Sequence, residues 1–532
     1  MEADSQLEKG FLKSAALLAI AMVISQIIGL LSKSLIGSTF GASAEVDAFL
    51  ASNRLTEILF NLVAGGALAS AFVPMFSAML DRKETRRAWQ LASRLSVLLT
   101  LILTLLSLLC YLFAAQIVRY ILVPGFSIND PALEQLTVDL LRIQLPTVVI
   151  FGLSGLLMGI LNSHDQFLFP GLAPAMYQIG IILGVLIFSK PFGIRGLAYG
   201  AVTGSLLHLL IQLPMFLGLK NKELKLEFAW KDSAVREVFK LMIPRQIGAS
   251  AVQLNFLVNN LIASYLPAGS ISAITWGLAL MLMPQAAIAQ SVATVSLPMF
   301  SVQAARNKLL EMSASLAAVI RLVIWLALPA ACGLILLGEP IVTLIFERRA
   351  FNPQMTQMVT WALIWYSFGL VFHCVVELVS RAFYAIHDTK TPVMVLFFAM
   401  LLNIVLSILL SRAFAGIGWM PHGGVALANT IATALESGLL LFLMRRRLQG
   451  LHGGRILAGI LQSVVAATAM SLGLYFWKRF SAAQEMSPLV VVAVGVAAGI
   501  GIYLAVGAVL KTDELKEIRN FIMRRHQLSE DS

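Results

Sequence analysis

From about residue 11 to residue 510 one pattern recurs along the chain: some twenty mostly apolar residues, then a short polar break. A run of that length is what an α-helix needs to cross roughly 30 Å of hydrocarbon. Inside hydrocarbon only helices and closed barrels satisfy every backbone N–H and C=O. The pattern therefore points to an all-α polytopic membrane protein. Of 532 residues 58% are hydrophobic and only 13% charged, a balance foreign to water-soluble domains. The breaks leave no room for an extra soluble domain or a large loop-borne active site.

Fourteen windows read as transmembrane helices, near 11–38, 47–80, 91–115, 137–162, 166–189, 194–218, 238–265, 270–300, 312–337, 355–386, 391–412, 423–444, 455–477 and 488–510. In the second, Gly65, Gly66 and Pro74 are expected to bend or break the helix, as happens where a helix lines a cavity. The first ten residues carry Glu2, Asp4 and Glu8, and no small-residue cleavage site follows, so the first span is expected to be retained. Lys and Arg gather after even-numbered spans: Arg82, Lys83, Arg86 and Arg87; Lys220, Lys222, Lys225, Lys231 and Arg236; Arg445, Arg446, Arg447 and Arg455; and the tail from Lys511. The break LPAGS, Leu266 to Ser270, has none. The positive-inside rule then puts both termini in the cytoplasm. The net charge of +11 is a topology signal and not a nucleic-acid footprint. Cys110, Cys332 and Cys374 sit in apolar segments without metal-ligand spacing and read as small buried hydrophobes.

Three landmarks repeat at nearly one interval. Pro74 and Pro298 (VPMFS and LPMFS) lie 224 apart, His164 and His387 lie 223 apart, and Gly196 and Gly424 lie 228 apart. Matches in the same order are a repeat signal. Each unit holds six spans, an even number, so the halves are expected to share one orientation about an axis along the membrane normal. The expected division is a six-helix lobe over 1–222, a second over 223–448, two extra helices over 449–510 and a cytoplasmic tail over 511–532.

The stretches DAF (Asp47 to Phe49), GAL.SAFVPMFS (Gly66 to Ser77), VPGF (Val123 to Phe126), GLAPAMYQIGIILG (Gly171 to Gly184), LPAGS, FERRAF (Phe346 to Phe351) and RAFYAIHDTKTP (Arg381 to Pro392) are spread over both halves. As a set they resemble the MurJ (MviN) type lipid II flippases of the MOP transporter superfamily. The resemblance implies a carrier, not an enzyme and without cofactor. It would move the undecaprenyl-diphosphate-linked peptidoglycan precursor to the outer leaflet of a bacterial cytoplasmic membrane by alternating access. A cationic cavity between two lobes and a lipid groove leading to the two extra helices belong to the same implication. Where such proteins carry basic residues, this chain has Gln26 and Ser32 around Gly29, with Lys33 next door, then Phe60 and Asn61, and Ala279 in span eight.

A diphosphate head stripped of water needs fixed positive charge, and Arg grips phosphate oxygens bidentately where Lys acts as a point charge. The candidates for that task are Lys33, Arg54 and Arg245, with Gln26 and Asn255 as polar neighbours. Arg54 has a rival reading, since Glu57 lies three residues on, on the same helical face. Lys33 and Arg245 read equally as interface anchors that snorkel. Asp47 serves as helix cap, gating partner or proton site. Gln253, Asn255, Asn259 and Asn260 put polar groups on more than one face of span seven, where sugar hydroxyls would meet them. Glu377, four residues after His373, and Glu436 lie deep in apolar runs, and suit proton or cation binding or an interlobe hydrogen bond. The Gly residues lack a phosphate-loop pattern, and the histidines lack metal spacing.

Rival functions remain. A flippase for another polyprenyl-diphosphate glycan would have the same fold and would explain the thinned arginine set, and a cation-coupled exporter would not need two extra spans. A glycosyltransferase would need a sizeable outer loop, and a scaffold would not need charges inside spans. The expected partners are a lipid-linked glycan and membrane lipids, with no nucleic acid, and a monomer.

Overall fold

The computed structural model describes residues 2–63, 66–219, 222–223, 225, 227, 229, 232–451 and 453–515, with the side chains of 2–20, 62–63, 66–70, 243–249 and 251 outside the description. Among the described residues every regular element is helical. In chain order the first half runs α1 (Glu2–Phe40), α2 (Ala44–Val63), α3 (Gly66–Asp81), α4 (Thr85–Leu112), α5 (Ala114–Ile117), α6 (Pro124–Asn129), α7 (Pro131–Gln144), α8 (Pro146–Asn162), α9 (Leu168–Leu183), α10 (Ser189–Phe192), α11 (Arg195–Leu210) and α12 (Leu213–Gly218). There follow α13 (Ser233–Ala263), α14 (Ser270–Gln285), α15 (Ser291–Ala305), α16 (Leu309–Phe346), α17 (Pro353–Ser367), α18 (Leu370–Ala385), α19 (Lys390–Gly416), α20 (His422–Arg447), α21 (Gly453–Ala483) and α22 (Pro488–Val509).

The polar breaks carry their own start signals. Asp130 accepts the N–H groups of Ala132 and Leu133 with Pro131 at the first helical position, and Asp232 accepts those of Ala234 and Val235. Asn352 accepts the N–H of Met355 ahead of Pro353. Each cap satisfies donors that a helix start leaves open, and proline fits where no N–H is needed.

Helix lies at all fourteen expected windows. Among the described residues eleven helices are long and apolar enough to cross a membrane, and α17 with α18, bent by 47°, makes up to twelve. At that bend a Cβ on Gly369 would stand 2.7 Å from the Thr430 hydroxyl, which itself donates to the Trp365 carbonyl at 2.7 Å. The break thus frees a carbonyl and supplies its donor from α20, the condition for irregular backbone at membrane depth. Of the bend expected in the second span, residues 64–65 lie outside the description; Pro74 sits inside α3 without ending it.

The contacts divide the chain into two compact units, Met1–Ile271 with Arg348–Phe351, and Ser272–Glu347 with Asn352–Ser532. Packing groups α13 with the first unit, whereas chain-order counting groups span seven with the second half. In the first unit Phe72 and Phe76 of α3, Trp89, Leu95 and Leu99 of α4, Leu156 and Ile160 of α8, and Val238 and Met242 of α13 form one buried cluster. In the second, Trp325 and Leu337 of α16 pack with Ala466, Met470 and Leu474 of α21 and Tyr503 of α22, whose hydroxyl donates to the Trp325 carbonyl at 2.7 Å. The two last helices are therefore anchored on α16.

Lipid tails are as apolar as leucine, so helices in a membrane associate through close packing of small residues more than through apolar burial. In the first unit a Cβ on Gly200 of α11 would lie 2.7 Å from the Cα of Gly184, and one on Gly196 would lie 2.5 Å from the carbonyl carbon of Phe188. In the second unit Gly424 of α20 would meet the carbonyl carbon of Leu410 in α19 at 2.5 Å. Gly196 and Gly424, paired by interval, thus do one job in each unit: each lets the start of a helix touch the backbone before it.

Candidate functional site

In the first unit α1, α2, α9 and α13 bring together a charged cluster. Arg54 Nη1 donates to Glu57 Oε2 at 2.8 Å, so the pairing read from their three-residue spacing forms. The other Glu57 oxygen accepts from Asn53 Nδ2 at 2.9 Å, and the Tyr177 hydroxyl donates to Asn53 Oδ1 at 3.0 Å. The Arg54 guanidinium lies over the Phe256 ring, 4.8 Å from its centre. Its Nε is buried and has no hydrogen-bond partner among the described residues. The pair does not exhaust the arginine, because a guanidinium has five donors, and its side chain keeps 21% of its surface accessible.

Lys33 on α1 is half-buried and within electrostatic reach of Glu57. Its Nζ lies 3.9 Å from where a Cβ on Gly29 would stand, and the side chain of Gln178 approaches the same point to 3.8 Å. Two cations and one carboxylate leave one net positive charge, lined by amides, a phenol and a phenyl ring. That set can hold an anion through charge and neighbouring hydroxyl groups through Asn53, Tyr177 and Gln178. Gln26 is exposed, two turns from Lys33 on the same helical face. Asn255 is half-buried beside Phe256. Arg245 falls within α13, and its side chain lies outside the described residues. Tyr177 and Gln178 were legible as the polar pair inside the apolar stretch 171–184, and reading basic residues alone misses them.

Asp47 stands two turns before Arg54, roughly 10 Å along α2. It is not the N-cap: α2 begins at Ala44, and Ser43 Oγ accepts from the Val46 N–H at 3.4 Å. The Asp47 carboxylate, 2% exposed, accepts the N–H of Gly269 at 2.7 Å. Gly125 N–H donates to Ser264 Oγ at 3.0 Å, and Ala350 N–H donates to the Ser38 carbonyl at 3.0 Å. DAF and LPAGS, far apart in sequence, thus meet in the first unit; VPGF is held to Ser264, two residues before LPAGS, and Ala350 of FERRAF to the end of α1.

In the second unit the four-residue spacings put His373, Glu377 and Arg381 on one face of α18. His373 Nε2 lies 3.1 Å from Asn429 Oδ1 and 3.5 Å from Thr433 Oγ1 of α20, so its bond lies within one unit. Glu377 pairs with Arg381 at 2.8 Å. Glu436, one turn beyond Thr433, is 8% exposed, and Tyr384 feels the charges of Arg381, Glu377 and Glu436. The seam between α18 and α20 therefore holds two carboxylates, a histidine and one arginine. At its end, in the break before α19, Asp388 accepts the N–H of Thr391 at 3.0 Å, its hydroxyl at 2.8 Å and Arg447 Nη2 at 3.2 Å. Burial pulls the Asp388 carboxyl up, but these bonds outweigh it and hold it below the ordinary carboxylate range.

A family model described as lipid II flippase MurJ matches residues 36–494. A probable lipid II flippase MurJ of Buchnera aphidicola subsp. Acyrthosiphon pisum is 30% identical over 433 residues, covering 81% of this chain and 83% of its own. That of Bdellovibrio bacteriovorus is 29% identical over 519 residues, covering 96% and 97%. A solved lipid II flippase MurJ in an inward closed conformation superposes with a TM-score of 0.76 at 26% identity, over 94% of this chain and 99% of that one. An inward-facing MATE family transporter of the MOP superfamily shares the fold, with a TM-score of 0.68 at 14% identity, over 82% and 98%. The family match runs through both compact units and includes Asp47, Arg54, Glu57 and Tyr177, and the chain belongs to the MurJ lipid II flippase family.

Proposed function

We propose that this protein is a lipid II flippase, carrying the undecaprenyl-diphosphate-linked peptidoglycan precursor from the inner to the outer leaflet of a bacterial cytoplasmic membrane by alternating access. The observation that carries the reading is the Lys33, Arg54 and Glu57 cluster inside a membrane-spanning unit of a MurJ family chain. Arg54 and Lys33 take the diphosphate, with Arg245 as a third cation and Gln26 and Asn255 at the sugars. Glu57 acts as the resting counter-ion, released when phosphate oxygens replace it on Arg54. Asp47 gates by clasping the LPAGS turn, and Glu377 and Glu436 serve ion coupling. No bond is made or broken in the transported lipid, so the protein is a carrier and not an enzyme.

The finer architecture belongs to the same reading. Fourteen crossings, lobes over 1–222 and 223–448, extra helices over 449–510 and cytoplasmic termini follow from the repeat and the Lys and Arg bias. The protein acts as a monomer without nucleic acid. The test is depletion of the native peptidoglycan flippase with this chain expressed in its place, followed by assay of outer-leaflet precursor. Restored precursor supports the reading. Unrestored precursor in cells where the chain is inserted at normal levels refutes it and favours another polyprenyl-diphosphate glycan.

A further inference from the structure

Near the arginine-rich end of α20 the second unit holds a cavity of about 390 Å³. Met394 and Phe398 of α19 and Leu439 and Leu443 of α20 wall it, and Arg446 and Arg447 add two guanidinium groups. Met394 and Phe398 are each 60% exposed, so the apolar wall continues onto the surface that a membrane helix turns to lipid. The two arginines are not equivalent. Arg447 is paired with Asp388 at 3.2 Å. Arg446 stacks on Phe442, 4.4 Å from the ring centre, and makes no ion pair among the described residues.

An apolar slot ending at one uncompensated cation, where a span leaves the membrane, matches one chemistry: an acyl chain with a single phosphodiester above it. Basic pockets between membrane helices bind anionic head groups in this way. A soluble anion would gain nothing from the slot, and a zwitterionic lipid would bring its own cation to Arg446. A polyprenyl diphosphate would need more donors than are free, because the Thr391 hydroxyl is committed to Asp388. We propose that this cavity binds an anionic glycerophospholipid, its phosphate on Arg446 and part of one acyl chain between α19 and α20. The site does not depend on what the protein transports.

The test is native mass spectrometry of the full-length protein in nonionic detergent, titrated with chain-matched phosphatidylglycerol and phosphatidylcholine. The wild type is expected to prefer phosphatidylglycerol by about tenfold, the worth of one charge-assisted phosphate contact. Arg446→Gln removes that preference and leaves phosphatidylcholine binding unchanged, Arg446→Lys retains part of it, and Met394→Trp weakens both lipids by narrowing the slot. Four results overturn the proposal: full preference in Arg446→Gln, an equal loss in Arg445→Gln, displacement of the lipid by inorganic phosphate, or displacement by undecaprenyl diphosphate at equal concentration. Thermal unfolding of each variant confirms that the folded protein is being compared.

Discussion

Removing the Arg54 guanidinium separates two roles that the structure assigns to one side chain. Arg54 holds Glu57 at 2.8 Å, yet its buried Nε is unpartnered among the described residues. Arg54→Ala takes the Lys33, Arg54 and Glu57 set from one net positive charge to none. If Arg54 grips phosphate, at least one hydrogen bond between charged groups is lost, worth about 1.5–3 kcal/mol. That converts to roughly 10- to 150-fold weaker binding of a diphosphate lipid. If Arg54 only neutralises Glu57, the damage comes from the stranded carboxylate, and removing that carboxylate repairs it. The double variant Arg54→Ala/Glu57→Gln decides. Its net charge is again one positive, from Lys33, so a general charge effect is controlled. Binding is read by titrating purified protein with lipid II, and transport by complementation of a flippase-depleted strain. The expected result is loss in Arg54→Ala, partial loss in Arg54→Lys and no rescue in the double variant. Wild-type binding and growth in the double variant would refute substrate contact and leave Arg54 as a helix-pair residue.

Reporter fusions after Arg87, Lys222, Arg447 and Arg525 are expected to read cytoplasmic and one within LPAGS external; a cytoplasmic LPAGS breaks the span count. Gly200→Val forces a side chain toward the Gly184 backbone, where a Cβ alone would stand 2.7 Å from its Cα. It should cost at least about 1–3 kcal/mol, read as a lowered Tm in detergent, and an unchanged Tm contradicts the α9–α11 packing. Asp388 has a carboxyl held below its ordinary range, so its contribution to stability is present above the unfolded value near 3.9 and is lost as pH falls through the lower folded value. Asp388→Asn should therefore lower the Tm at pH 7 and flatten its fall below pH 4, and a parallel pH profile in the variant argues against the clasp. An anionic head leaving an inside-negative compartment gains about 2.3 kcal/mol per charge per 100 mV, so collapsing the potential should slow flipping in proteoliposomes while ATP removal at fixed potential does not; equal rates at zero and inside-negative potential reject voltage drive.

Neighbours on one helix were legible from the sequence, because 3.6 residues per turn fixes who shares a face whatever the surroundings. Arg54 with Glu57, and the common face of His373 and Glu377, follow from spacing alone, as do the apolar spans and the interval pairing of Gly196 with Gly424. Partners on different helices were not legible. That Arg54 lies over Phe256, that Asp47 closes on Gly269 instead of capping α2, and that His373 turns to Asn429 depend on how each helix is rotated and shifted against its neighbour. Hydropathy is blind to that choice, since in a membrane an apolar residue facing lipid and one packed in the interior look alike. The sequence therefore determined a helical membrane chain with landmarks repeated at nearly one interval and charges inside its spans. Tertiary structure decided which of those charges meet, because helix rotation is set by close glycine contacts and interhelical hydrogen bonds that no single segment encodes.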